Sequence, residues 1–487
     1  MTDRDKSHPL KVLILAVECA PFYKVGGLAD VIGSLPRALR ELGHDVRVAL
    51  PRYKSIDGAK YGLKPSGHSF TAYAGREPRR TEVLFSDATG VPTYFVWDER
   101  YFNRPVVYGQ PDEVMSFVFF VRAVFEYLRL DEWRPDVVHA NDWHAALAPL
   151  WLDTLGRTDP RFARTASVFT IHNLAYQGVT GDAIWTFAGL PAGRTPVEGE
   201  QPGTINWMAR GIAHADLVNA VSARYAHEIM RPEYGAGLDG LLRSRRDRVG
   251  GILNGLDPQA WDPATDKALA ARFDAGSLDR RARNKRALQR LLGLPRRDVP
   301  LIGMVTRVVE QKGFDLLAQA GDELLSREIQ FVLLGTGDPV YEQAMRGLAE
   351  RHPGKFVLAP RFDEASARLI YAGSDVFLMP SRYEPSGLGQ MIAMRYGALP
   401  VVRATGGLAD TVIDATRHRS TGTGFTFSSY STRGLLGAVD RMLEAYQSGR
   451  TWRAIQTRAM AADFSWARSA QQYVRLYRKA MRLHNAT

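Results

Sequence analysis

Residues 11–30 carry the fold: Lys11-Val-Leu-Ile-Leu-Ala-Val17, then Lys24-Val-Gly-Gly-Leu-Ala-Asp30. The first run is almost wholly apolar, as a strand buried on both faces must be. Beyond the glycines, Leu28, Val31, Ile32, Leu35 and Leu39 recur at helical spacing and Gly43 ends that helix. Asp45 to Leu50 then reads as a second strand. Strand, helix and strand in that order predict a parallel pair with a crossover, the unit of a doubly wound sheet.

The pattern continues outward. Short apolar runs follow at Val83–Phe85, Thr93–Trp97, Asp136–Ala140, Ser167–Ile171 and Leu217–Val221, alternating with helical segments. Gly250 to Pro258 suits a linker. A second series comes after it, at Leu301–Thr306, Phe331–Gly335, Phe356–Ala359, Val376–Met379 and Pro400–Arg403. Gly26-Gly-Leu-Ala-Asp30 recurs as Gly406-Gly-Leu-Ala-Asp410, weak support for two similar halves. The expected architecture is α/β: two Rossmann-like domains, 1–250 and 251–464, with a cleft between them, and a last segment, 465–487. That segment is an amphipathic helix with Tyr473, Leu476, Tyr477 and Met481 on one side. Ligands of such sheets sit beyond the carboxyl ends of the strands, so functional residues are sought there.

Composition narrows the function classes. A chain of 487 residues exceeds one ordinary core. Its single cysteine, Cys19, excludes an intramolecular disulfide and a thiolate-built metal site. The polar first residues hold no apolar run suited to a signal peptide or membrane span, so a cytoplasmic protein without a membrane partner is expected. The net charge of +11 suits nucleic acid and phosphorylated substrates alike. Its densest basic run, Arg280 to Arg290 with Arg296 and Arg297, is interleaved with Ala282, Ala287, Leu288, Leu291 and Leu292. It reads as a helix with one solvated basic face. No aromatics alternate with these charges, so no nucleic acid partner is expected. G-x-S-x-G, H-E-x-x-H and paired-cysteine spacings are absent, which leaves hydrolase and metal-site readings without support.

Five stretches after the strands carry candidate chemistry. Lys24, Gly27 and Asp30 open the first helix, where close backbone approach, a helix N-terminus and a mobile cation suit an anion. A tight turn with a surface lysine reads equally well. Arg307 and Lys312 flank the turn after Leu301–Thr306 and suit a diphosphate, or else an ordinary charged loop. Glu384 stands after Val376–Met379, ahead of a helix expected to begin near Ser386, and offers a carboxylate to sugar hydroxyls or a helix cap. Asp142, His144 and His172 also end apolar runs, where a histidine is more often structural than catalytic.

Together the strings K-V-G-G-L-A-D-V, D-W-H-A, H-N-L-A-Y-Q-G, N-G-L-D, T-R-V-V-E-Q-K-G, S-R-Y-E-P-S-G-L and T-G-G-L-A-D-T-V run in order over nearly the whole chain. In this the chain resembles the bacterial glycogen synthase and plant starch synthase family. The resemblance implies a retaining glycosyltransferase of the GT-B type that extends an α-1,4-glucan from ADP-glucose, without metal or cofactor. It implies a glucan-binding N-terminal domain, a nucleotide-sugar-binding C-terminal domain, and a last helix that returns to the first. By the same resemblance Lys24 and Gly27 contact the sugar nucleotide, and Asp30 supports that loop. Arg307 and Lys312 bind the diphosphate; Glu384 holds glucose hydroxyls near the Ser386, Gly387 and Leu388 turn. His172 stands at the reacting sugar, Asp142 and His144 contact glucose or acceptor, Asn254 lies in the cleft, and Phe362 stacks on adenine. Ser386 replaces the family's cysteine in E-P-C-G, so sensitivity to thiol reagents from that position should be absent. A UDP-glucose enzyme or one with a short or sugar-phosphate acceptor is the near alternative. A nucleotide-sugar epimerase, a glucan phosphorylase and a noncatalytic glucan-binding module are the distant ones.

Overall fold

The computed structural model describes residues 8–359 and 363–486. One compact unit runs to Gly255 and resumes at Trp466; the other spans Leu256–Ser465. The first holds β1 (Lys11–Leu15), β2 (Asp45–Pro51), β3 (Lys64–Ala74), β4 (Glu77–Ser86), β5 (Thr93–Trp97), β6 (Val137–Asn141), β7 (Ala166–Ile171), β8 (Val179–Gly181), β9 (Thr204–Asn206), β10 (Leu217–Ala220) and β11 (Val249–Gly251). The second holds β12 (Leu301–Val305), β13 (Gln330–Leu334), β14 (Phe356–Leu358), β15 (Val376–Met379), β16 (Leu399–Arg403) and β17 (Phe425–Phe427).

The sheet of the second unit is parallel throughout and ordered β14-β13-β12-β15-β16-β17. Counted from β12, that is the doubly wound order: three strands are laid outward one way, then three the other. The first unit follows the same rule with an extra strand, β11-β10-β7-β6-β1-β2-β5, and closes its far edge with the antiparallel β4 and β3. Every residue of β6, β7, β10, β13 and β16 is buried, so these strands are mostly apolar and show no alternation. The strand order reverses between β1 and β6 and again between β12 and β15. There the connections leave to opposite faces and open a gap at the carboxyl ends.

The last helix, Trp466–His484, packs on the first unit, as the resemblance implied. The Tyr477 hydroxyl bonds His139 Nδ1 at 2.9 Å, and Tyr473 Oη accepts from Asn219 Nδ2 at 3.2 Å. Burial pushes the His139 ring down to about 3, which makes it a neutral core residue. Among the described residues no helix is long and apolar enough to cross a membrane.

Three features differ from the sequence reading. The β3–β4 hairpin runs beyond the short apolar stretch Val83–Phe85 because most of β3 is exposed and only Phe70, Ala72 and Ala74 turn toward the core. The glycine segment starting at Gly250 begins inside β11, and its glycines serve close approach. A Cβ on Gly251 would overlap the Ser222 carbonyl, and one on Gly255 would lie 2.7 Å from the Trp466 backbone. The basic helix, Arg281–Leu291, is not solvated on all its charges: Arg281 and Lys285 are buried, and Leu291 is exposed. Arg281 donates to the carbonyls of Ser374 and Tyr396, where the helices Glu364–Gly373 and Gly389–Arg395 end. Lys285 reaches Val299 O at 2.6 Å and Asp375 Oδ2 at 2.7 Å. Helix C-termini leave carbonyls without partners and favour cations, which draws Arg281 inward, while Lys285 is held by its ion pair with Asp375 and the Val299 carbonyl ahead of β12.

Replacing Arg281 by Ala strips two buried carbonyls of a charged donor and should lower unfolding free energy by about 2–3 kcal/mol. Arg283→Ala, on the exposed side of the same helix, should change it by no more than about 0.5 kcal/mol. Urea unfolding followed by circular dichroism compares the two.

Candidate active site

In the first unit the gap lies between β1 and β6. After β1, the buried Glu18 accepts N–H bonds from Val25 and Gly26 on Oε2, at 2.7 and 2.8 Å, and the Tyr108 hydroxyl on Oε1. It thereby fixes the loop that opens the helix Gly27–Glu41, whose N-cap residue Gly26 provides no side-chain cap. Lys24 Nζ lies 2.6 Å from Asp30 Oδ1, and both side chains are solvent-accessible. A Cβ placed on Gly26 or Gly27 would meet nothing within 4 Å. Packing does not require glycine there; the missing Cβ leaves the backbone open.

β6 supplies the other wall. Asp142 follows it at φ 55° and ψ 179°, a conformation costing a non-glycine residue on the order of 1–3 kcal/mol. The turn carries Oδ1 to the His172 N–H at 2.7 Å, which ties the end of β6 to the end of β7. Burial pushes the Asp142 carboxyl up to about 7, and the charge of Glu18 acts in the same direction. The His172 ring is held at Nε2 by Asn141 Oδ1, 2.9 Å away, and burial pushes it down to about 3. His144 is buried against Trp143, Tyr108 and Phe117; burial takes it to about 3 as well, and its buried Nδ1 has no partner among the described residues. Asn254 is buried, with Oδ1 likewise unpartnered.

In the second unit the gap lies between β12 and β15. Gly313 ends the turn after β12 at φ +85°, and a Cβ there would overlap the Pro380 carbonyl beyond β15. That contact sets Lys312 beside Glu384: Nζ lies 2.8 and 2.6 Å from the two carboxylate oxygens. Ser381 Oγ donates to Oε2 at 3.0 Å, and Glu384 is 5% exposed. The carboxylate is thus turned to a cation and a hydroxyl, not to a helix end. Arg307 is exposed, and its side chain has no partner among the described residues.

The Glu384 backbone is clamped from below. Its carbonyl accepts the Gly407 N–H at 3.0 Å, and a Cβ on Gly406 or Gly407 would overlap the carbonyls of Glu384 or Ser386. The helix after Glu384 begins at Gly389, later than Ser386, because Gly387 takes φ +71° and Leu388 becomes the cap residue. Buried Gln390 stitches that turn, donating to Ser386 O at 3.1 Å and Gly387 O at 3.0 Å. The Ser386 hydroxyl is buried without a partner among the described residues. Phe362 lies outside the described residues.

The structure thus gathers Lys24, Gly27 and Asp30 at one wall of the first gap, Asp142, His144 and His172 at the other, and Lys312 with Glu384 at the second. Sequence reasoning passed over Glu18, Asn141, Ser381 and Gln390. Glu18 carried a signal, since a carboxylate directly after a buried parallel strand sits where ligands bind. The other three act through side-chain bonds that spacing does not reveal.

A family model described as the starch synthase catalytic domain matches residues 11–244, and one described as glycosyl transferases group 1 matches residues 299–445. The chain is 45% identical to a glycogen synthase of Moorella thermoacetica over 99% of each chain. It is 44% identical to a glycogen synthase of Thermotoga maritima, over 97% of this chain and 99% of that one. Among solved structures, the catalytic domain of starch synthase IV from Arabidopsis thaliana, bound to ADP and acarbose, superposes with a TM-score of 0.89 at 33% identity, covering 98% of this chain and 100% of that one. Sucrose-phosphate synthase from Thermosynechococcus elongatus shares the fold, with a TM-score of 0.61 at 20% identity over 98% of this chain and 99% of that one. With two doubly wound sheets of the GT-B type and similarity along its full length, the chain belongs to the glycogen and starch synthase family and is a hexosyltransferase.

Proposed function

We propose that the enzyme moves glucose from ADP-glucose to the non-reducing end of an α-1,4-glucan with retention of configuration, in the cytoplasm. The first unit takes the glucan and the second the nucleotide sugar. The observation that carries this reading is the ion pair of Lys312 with both oxygens of buried Glu384, at the strand-order reversal of the second sheet. A lysine so held is a fixed positive charge, and Arg307, in the same connection after β12, is an unengaged one.

The chemistry follows from charge. As the acceptor hydroxyl attacks the anomeric carbon from the face the diphosphate leaves, the bond to the diphosphate breaks, its electron pair stays on the departing ADP, and the hydroxyl proton passes to the leaving phosphate oxygen. A preorganised cation, as Lys312 is in the grip of Glu384, lowers that barrier because it needs no reorientation when the charge appears. Arg307 grips two phosphate oxygens and Lys312 follows the leaving group as a compact charge. Glu384 holds Lys312 and retains lone pairs for sugar hydroxyls, while the N–H groups of Gly387 and Leu388, after Ser386, face the phosphate or sugar. The open backbone at Gly27, beside Lys24 and its partner Asp30, admits the sugar nucleotide. His172, Asp142 and His144 meet the glucose or the acceptor, Asn254 offers its free amide oxygen, and Phe362 stacks on adenine. The relative solved with ADP and acarbose supports the choice of donor and acceptor.

ADP-glucose should be turned over in clear preference to UDP-glucose with glycogen as acceptor, since a flat ring at Phe362 favours a purine. Equal rates with the two donors would overturn the choice of base. The same assay in EDTA should keep its rate, because Arg307 and Lys312 supply the charge a divalent ion would bring; loss on chelation and recovery with magnesium would refute this.

Lys312→Ala should lower kcat by about 10²–10³-fold, with a smaller effect on KM for the donor, while Arg307→Lys should also be damaging for want of a two-pronged grip. Arg283→Ala and Arg286→Ala, exposed on the basic helix, should leave both constants near the parent's. Circular dichroism must show each variant folded, because Lys312→Ala leaves Glu384 buried beside only Ser381. A folded Lys312→Ala with normal kcat would move the leaving-group charge elsewhere, with Lys24 the first candidate.

A further inference from the structure

We propose that Asn141 is a positioning residue that fixes the tautomer of His172, so that the ring meets a substrate hydroxyl as a hydrogen-bond acceptor through Nδ1. The proposal rests on the reading of His172 as a residue at the reacting sugar.

Asn141 is fully buried at the end of β6. Its Nδ2 donates to Leu15 O on β1 at 3.1 Å and to His139 O on its own strand at 3.3 Å. The amide cannot be reversed at low cost. A flip would set its oxygen against two carbonyl oxygens and strip Leu15 O of the donor that reaches it past the end of the ladder. Oδ1 therefore faces His172 Nε2 at 2.9 Å, and it has no proton to give. Nε2 must carry the proton, which leaves Nδ1 a bare lone pair without a partner among the described residues. The backbone of the same residue is held independently by Asp142 Oδ1. The last residue of β6 thus fixes the ring of His172, and the residue after it fixes the main chain.

Other titratable groups stand around this ring. Asp142 faces the main-chain N–H, His139 and His144 approach from β6 and the turn after it, and Glu18 with Tyr108 lies behind Asp142. Burial keeps the imidazole neutral, with a pKa near about 3. A neutral ring with an outward lone pair accepts from a sugar hydroxyl and repels a phosphate oxygen. It is an orienting contact for the sugar and no proton donor to the leaving group.

The test is the long-range proton–nitrogen spectrum of the full chain labelled with ¹⁵N-histidine and free of substrate, His172→Gln identifying the His172 signals. Near neutral pH the parent should show Nε2 protonated and Nδ1 bare. Asn141→Leu should mix the two tautomers and lower kcat on the order of 10–100-fold, as a misplaced contact does. Asn141→Asp still accepts from Nε2, but its charge raises the affinity of the ring for a second proton. Its kcat should therefore acquire a loss as pH falls, absent from the parent. A proton found on Nδ1 in the parent, or His172 signals unmoved in Asn141→Leu, would overturn the proposal. Because the spectrum is read without substrate, its outcome stands apart from whether ADP-glucose proves to be the donor.

Discussion

A parallel sheet whose strand order reverses has to leave a gap at the reversal, because the neighbouring connections depart to opposite faces. Each unit of this enzyme has one such reversal, and the chemistry-bearing side chains stand at its two rims. β1 and β6 present Lys24 and Asp142 across the first; β12 and β15 present Lys312 and Glu384 across the second. Lys312 and Glu384 are 72 residues apart in the chain yet in direct contact. Only the crossing of the sheet brings them together.

Charge at these gaps is held by partners from the protein itself. Glu18 accepts hydrogen bonds from backbone N–H groups and Tyr108, and Glu384 is met by Lys312 and Ser381, so both carboxylates stay buried without being orphaned. Asp142 has less support, and burial accordingly drives its carboxyl toward neutrality. The basic surplus of the chain has a partly internal explanation. Arg281 and Lys285 close carbonyl ends within the second unit, and Arg245 does the same at the end of the helix Trp207–His214 in the first. Arg281 and Arg245 complete helix ends, and Lys285 is tied to the carboxylate of Asp375.

The repeated Gly-Gly-Leu-Ala-Asp string shows how one sequence can serve two physical ends. At Gly26 and Gly27 the missing Cβ leaves open space, so the glycines keep the backbone of a helix start accessible. At Gly406 and Gly407 it leaves room for the carbonyls of Glu384 and Ser386, and the glycines act as a seat for the loop that carries the carboxylate. The first pair faces outward and the second faces protein.

The sequence determined what short-range chemistry can specify. Apolar runs buried on both faces marked most of the parallel strands, the helical spacing of Leu28 to Leu39 marked the first crossover, and residues just past those strands marked Lys24, Asp142, His172, Lys312 and Glu384. Hidden from it were elements whose patterning is erased by exposure, as in β3, or by glycine, as in β11. Hidden too were residues whose role lies in a bond across the sheet: Glu18 under its loop, Asn141 on His172, Gln390 beneath Gly387. The buried face of Arg281–Leu291 was misread for the same reason, since an arginine is taken as solvated until two orphaned carbonyls from distant helices are seen beside it. Local pattern fixes which residues stand at a strand end. Which of them face one another, and in what tautomer or ion pair, depends on strand order and on the carbonyls and carboxylates left unsatisfied, and these exist only once the chain has folded.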